Sequence, residues 1–121
     1  MKGLLFLGGD FMKINLALNS YEFEEYLIDC YDELTEGIVG IHYIFRFPNG
    51  FGASVIKTKC SIGFENNKWE LCVLIFEEKN KLALDEYYTV YLGEITGESS
   101  SVGNLTDKQV INYLRKIKEV R

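Results

Sequence analysis

Proline and histidine each occur once in this 121-residue chain, as Pro48 and His42, and cysteine occurs three times, as Cys30, Cys60 and Cys72. With one histidine there is no H-x-x-H or H-E-x-x-H, and no G-x-S-x-G marks a nucleophile elbow. A Ser-His-acid or Cys-His arrangement stays open, because folds bring distant residues together. The cysteines are odd in number, lack C-x-x-C spacing and sit in apolar patterns. They point to buried free thiols in a reducing cytosol and away from zinc. No run approaches about 18 apolar residues, so no membrane-spanning helix is expected. Positive charge is also scarce: 13 Lys and Arg against 18 Asp and Glu give a net charge of −5. That balance opposes direct nucleic-acid binding, which rests on neutralising phosphates. It does not exclude a small nucleotide, for which one or two cations and a stacking ring suffice.

The chain is 47% hydrophobic and 26% charged, which is globular composition and fits one domain. Residues 1 to 11 are expected to be a translated leader or a disordered extension. The codons for Gly8-Gly9-Asp10 can spell a ribosome-binding sequence just ahead of Met12, and Leu4-Leu5-Phe6-Leu7 is too short for a secretory apolar region. Whether translation begins at Met1 or Met12 is left open, and residues 12 to 121 are expected to form a single α+β domain.

The pattern predicts an N-terminal helix, a three- to four-stranded antiparallel meander and a C-terminal helix packed on the sheet. After an expected short strand over Met12 to Leu18, Asn19 or Ser20 can cap a helix running to about Leu34. Phe23, Leu27, Cys30, Tyr31 and Leu34 form its apolar stripe, and Glu22, Glu24, Glu25, Asp29, Asp32 and Glu33 its acidic face. Glu36-Gly37 breaks it. Val39 to Phe47 alternates as a strand, and Asn49-Gly50 signals a type I′ hairpin returning through Phe51 to Lys59. That register would pair Arg46 with Ala53, Ile44 with Val55 and His42 with Lys57. Trp69 to Phe76 is apolar on both faces, as a central strand would be. A fourth strand is expected near Leu82 to Asp85, a short extended piece over Tyr87 to Leu92, and a mobile loop over Gly93 to Gly103. Thr106-Asp-Lys-Gln109 is a capping box opening a helix lined by Val110, Ile111, Leu114 and Ile117.

The register offers two candidate ligand surfaces. On one face Gly52 and Ser54 leave a depression beside Phe45 and Phe47, a floor on which a base could stack. On the other, His42, Arg46 and Lys57 would form a basic strip. The plainer reading puts a helix over the depression. Tyr87, Tyr88 and Tyr91 are expected to leave at least one ring partly exposed, which would suit a seam between copies of the chain.

From about Tyr43 onward the chain resembles a widespread group of small phage and prophage proteins. The carrying residues are Asn49-Gly-Phe-Gly-Ala-Ser-Val-Ile56, Ser61-Ile-Gly-Phe64, Trp69-Glu-Leu-Cys-Val-Leu74 and Gly103-Asn-Leu-Thr-Asp107 with its helix. The acidic N-terminal segment lies outside the resemblance. The resemblance implies a phage setting and a cytoplasmic place in the host bacterial cell. Small phage proteins without enzyme motifs are often immune-evasion factors, and two mechanisms suit these residues. One is similar to the sponge-type anti-Thoeris proteins, nucleotide-binding oligomers that sequester a cyclic ADP-ribose signal without cleaving it. It implies no catalysis, no metal, no cofactor, no membrane and a homo-oligomer. The ligand-binding residues expected are Phe45, Arg46, Asn49, Phe51, Ser54, Lys57 and Arg115. The other mechanism has the acidic helix inhibit a host defence nuclease, in the manner of an anti-CRISPR protein. A phage protein of unrelated function is the third reading.

Overall fold

Two residues at positive φ, Glu36 at 51° and Gly37 at 79°, fold the chain back on itself and set the first hairpin. The computed structural model describes Leu18 and residues 21–77 and 86–121. Within these the protein is α+β, a six-stranded antiparallel sheet with a helix packed on one face. The strands are β1 (Leu27–Thr35), β2 (Ile38–Arg46), β3 (Phe51–Lys57), β4 (Trp69–Glu77), β5 (Glu86–Thr89) and β6 (Ser101–Leu105). A short α1 (Gly93–Thr96) precedes β6, and α2 (Asp107–Lys118) follows it. The order is β1-β2-β3-β4-β5, with β6 also pairing β4. β5 takes Leu74 to Glu77 of β4 and β6 takes Trp69 to Cys72. The strand expected to be central is therefore central.

The predicted N-terminal helix is corrected. Tyr21–Tyr26 forms a 3-10 turn, and Leu27 onward is strand β1. Of the residues that read as a helical stripe, Cys30 and Leu34 also satisfy a sheet period: they face the same way, opposite Tyr43 and Val39 of β2, while Tyr31 turns to the other face opposite His42. A long apolar β2 needs a partner on each edge, and tertiary pairing overrides helical spacing. Thr35 and Ile38 close this hairpin around a two-residue turn whose central residues both have positive φ, as type I′ requires.

The second hairpin is not type I′. Phe47 N–H donates to Phe51 O at 2.8 Å and Gly50 N–H to Phe47 O at 3.1 Å, with Gly50 at φ 89°. This is a three-residue loop closed by a left-handed glycine. Pro48 decides it, since its fixed φ suits the first corner of an ordinary turn, where φ must be negative. The register moves by one residue from the expected one: Phe45 pairs with Ala53, Ile44 with Ser54, Arg46 with Gly52 and Ile41 with Lys57.

The core lies between the sheet and α2. Trp69, Phe23, Phe45, Phe47, Leu71 and Val55 are fully buried there with Val110, Leu114 and Ile117 of α2, and α2 rests on β3 and β4. The capping box forms as expected: Gln109 N–H donates to Thr106 Oγ1 at 3.2 Å and Thr106 N–H to Gln109 Oε1 at 2.9 Å. The stretch Gly93 to Gly103 is not a structureless loop, since it contains α1 and enters β6. Cys60 is exposed while Cys30 and Cys72 are half-buried, so the expectation of three buried thiols is corrected. The leader, the rest of the Met12 to Leu18 strand and the Leu82 to Asp85 strand lie outside the described residues. Among the described residues no helix is long and apolar enough to cross a membrane.

Candidate functional site

The one-residue change of register separates the residues expected to act together. On β2 and β3 the odd-numbered positions face α2 and the even-numbered ones face away, because side chains alternate across a strand. Phe45 is wholly buried in the core and stacks on Tyr43, ring centroids 6.3 Å apart. Phe51 is half-buried against the same core. Lys57 is also on this side, buried, and leaves the expected basic strip. Its Nζ lies 4.3 Å from the centre of the Trp69 ring and donates to Asn67 Oδ1 at 3.0 Å. Burial pushes its pKa down, and Asp107 opposes that in part. Asp107 in turn accepts from the Trp69 indole at 2.7 Å, so this group staples the start of α2 to the sheet.

Asn49 and Arg115 are structural as well. The Asn49 side chain donates to three carbonyls at the end of α2. The Arg115 guanidinium makes a two-pronged contact with Glu22, Nε to Oε2 at 2.9 Å and an NH2 nitrogen to Oε1 at 2.7 Å. That contact holds the Glu22 carboxyl below its usual range. Of the seven expected residues, only Arg46 and Ser54 share the face turned away from α2.

That face carries the residues the sequence reading missed. The Arg46 guanidinium lies 5.2 Å from the centre of the Phe76 ring, and Phe76 meets Tyr87 at 5.1 Å between centroids. Gly52 makes room for this, because a Cβ there would approach Phe76 to 2.7 Å. Nearer β1, Tyr31 stacks on His42 with centroids 4.6 Å apart and planes within 9°, and the His42 Nε2 pairs with Glu33 Oε1. Thr35 Oγ1 donates to the other oxygen of Glu33 at 3.3 Å. Between the two aromatic groups lies a floor containing Ile44 and Leu74, both buried, and half-buried Ser54 and Cys72.

The Tyr31 phenol has its pKa pushed up by burial first, and then by Tyr87, Asp29 and Glu33. The face turned away from α2 thus carries a guanidinium and aromatic rings at one end and a carboxylate, an imidazole and a phenol at the other.

This signal was hidden by the assignment of β1. Taken as helix, Tyr31 and Glu33 point away from His42, whereas paired as strand they sit beside it. Among the described residues no three His, Cys, Asp or Glu side chains group as metal ligands would. Comparison with protein-family models, with characterised proteins and with solved structures gives no match.

Proposed function

We propose that the protein binds a small cyclic nucleotide of the cyclic ADP-ribose type on this face of the sheet and holds it without cleavage, as a phage-encoded immune-evasion protein acting in the host cytoplasm. The observation that carries the reading is Arg46 over Phe76 beside Tyr87. A guanidinium matches phosphate oxygens in a two-pronged geometry, and a ring next to it stacks a base for about 1 to 3 kcal/mol. Sequestration asks nothing more of the site than concavity, rings and a few polar groups. Tyr87, Tyr88 and Tyr91, all more than 40% exposed, offer an aromatic surface for contact between copies, as a homo-oligomer would use.

The test mixes the purified full chain with cyclic ADP-ribose, removes unbound ligand and heat-denatures the complex. Recovery of intact ligand from the wild type, and its loss from Arg46→Ala, supports the reading. Ligand consumed, or retained equally by Arg46→Ala, overturns it.

A second reading has its own observation. Glu24, Glu25, Asp29 and Asp32 are all exposed, along the 3-10 turn and β1 rather than on a helix. Asp29 lies opposite Ile44 and Asp32 opposite Ile41, so the acids line the edge of the sheet rather than one face, an edge that fits a basic groove on a defence nuclease and competes with nucleic acid for it. Nuclease inhibition that survives Arg46→Ala but is lost when these four acids are neutralised would favour it.

A further inference from the structure

Strand β1 lies at one end of the strand order. It pairs with β2 on one side, and among the described residues no strand takes the other. Thr35 and Ile38 flank the two-residue turn at Glu36 and Gly37, so that pair exchanges both backbone hydrogen bonds, and bonded and non-bonded pairs alternate from there. Thr35, Glu33, Tyr31 and Asp29 therefore bond to β2, while Asp32 and Leu34 turn their N–H and C=O groups out of the sheet. A long edge strand is a template on which another chain can pair. The side chains along the edge say which kind of chain. Leu34 is 70% exposed, and Asp29 and Asp32 are exposed on opposite faces of the strand. From Glu22 to Glu36 there is no lysine, arginine or histidine. Arg115, His42 and Lys59 meet Glu22, Glu33 and Glu36, whereas no cation among the described residues meets Asp29 or Asp32.

We infer that β1 receives an extended, basic segment of a partner protein as an added strand. The segment's backbone bonds to the outward groups of Asp32 and Leu34. Its side chains follow the spacing of the edge: an apolar residue beside Leu34, a lysine or arginine two positions on beside Asp32, and a second cation three positions further beside Asp29. A second copy of this chain fits poorly, because β1 against β1 sets acids beside acids, and like charges placed opposite one another destabilise a sheet. Nucleic acid is repelled by the same carboxylates. Charge draws a basic strand to the edge, and main-chain bonds hold it there. The inference rests on the reading of this acidic edge as a protein-docking surface, and adds to it a mode of binding and a sequence spacing in the partner. It is independent of Arg46 and of nucleotide binding.

The experiment titrates the isotope-labelled full chain with the peptide Thr-Val-Thr-Lys-Thr-Thr-Lys-Thr, blocked at both ends, and follows backbone amides by NMR. The amide signals of Asp32 and Leu34 should move, and their hydrogen exchange should slow as the peptide binds. The same peptide with glutamate for both lysines should bind the wild type about tenfold or more weakly, since two attractive pairs become repulsive. Leu34→Pro removes one outward N–H at an edge position that tolerates proline, and should weaken the lysine peptide by about tenfold, the scale of one lost hydrogen bond. Asp29→Asn with Asp32→Asn should weaken it severalfold. Equal binding of the lysine and glutamate peptides, or Asp32 and Leu34 amides already protected in the chain alone, overturns the inference; the second result means the edge is covered by the chain itself or by a second copy. Lysine-peptide binding that survives Leu34→Pro but falls when the acids are neutralised overturns the strand pairing and leaves the acidic docking surface standing. No binding of the lysine peptide also overturns the pairing, while nuclease inhibition, which uses no peptide, still decides the acidic-surface reading. The wild-type comparison of the two peptides stands even if a variant fails to fold.

Discussion

The side-chain nitrogen of Asn49 donates to the backbone carbonyl of Ile117 at 2.9 Å, tying the β2–β3 turn to the end of α2 across 68 positions of chain. The same nitrogen reaches Lys118 O at 3.0 Å and Val120 O at 2.8 Å, while Oδ1 accepts from Phe51 N–H at 3.0 Å. The last carbonyls of a helix have no partner within it, and here a turn residue supplies one. Asn49→Ala should destabilise the fold by about 1 to 2 kcal/mol, on the scale of lost caps and buried hydrogen bonds. Asn49→Asp should cost more, because it replaces the donor with a negative charge at the negative end of the helix dipole. Urea denaturation of the two variants checks the order; equal stability with the wild type would refute the cap.

Gly50 and Gly52 lie two residues apart in the same hairpin, yet a side chain meets different obstacles at each. A Cβ on Gly52 would fall 2.0 Å from Phe45 O and 2.7 Å from the Phe76 ring. Gly52→Ala should therefore push the strands apart and move Phe76 off Arg46, costing about 1 to 3 kcal/mol as overpacking does and weakening a ligand held at Arg46. Gly50 has open space around its Cβ position, so Gly50→Ala meets only the strain of φ 89°, about 1 kcal/mol, with ligand affinity kept. Paired urea titrations and ligand titrations separate the two.

What could be read from sequence was what depends on near neighbours. The α2 capping box joins Thr106 to Gln109, three residues apart, and both its bonds form. The central place of β4 followed from apolar residues on both its faces. The first hairpin is not legible because Phe23, Leu27, Cys30, Tyr31 and Leu34 fit one helix face, while as strand Cys30 and Leu34 share a face and Tyr31 turns to the other; only pairing with β2 decides between them. The second is legible but shifted by one residue, since Asn49-Gly50 points to a two-residue turn and Pro48 ahead of it makes the loop three. One residue of register exchanges faces. Lys57 thereby goes from an expected ligand surface to the core, and Arg46 lies beside Phe76, a residue distant in sequence.

The Tyr43 phenol is buried and accepts a hydrogen bond from Leu18 N–H at 3.2 Å. Burial pushes its pKa from 10.0 up to about 12, with that bond acting in the opposite direction. A folded-state pKa above the unfolded one contributes stability that is complete below pH 10 and is lost as the pH rises toward 12. At pH 11 the loss is about 1.4 kcal/mol, one pKa unit. Lys57 works the other way, since burial lowers its pKa and folding gains as the pH climbs toward 10.5. Comparing the wild type with Tyr43→Phe at pH 8 and pH 11 removes that contribution. The variant should start less stable, with Leu18 N–H unpaired, and the gap should narrow at pH 11. A gap that stays constant would show that the phenol does not titrate differently on folding.

Arg115 separates a structural cation from a ligand-binding one. Its guanidinium is occupied by Glu22 on the outer surface of the molecule, on the far side of the sheet from Arg46. On the proposed function, Arg115→Ala should therefore leave nucleotide affinity within about twofold of the wild type, where Arg46→Ala is expected to abolish it. Its effect should appear in the melting temperature instead. Glu22 is held below its ordinary pKa of 4.5, so the pair stabilises the fold above that pH and less as the pH falls through the lowered value. The difference in melting temperature between wild type and Arg115→Ala should accordingly be largest near pH 7, shrink below pH 4.5, and shrink in about 1 M salt, where the screening length falls to roughly 3 Å. Loss of nucleotide binding in Arg115→Ala at pH 7, with the fold intact, would instead place the ligand against α2 and away from Arg46.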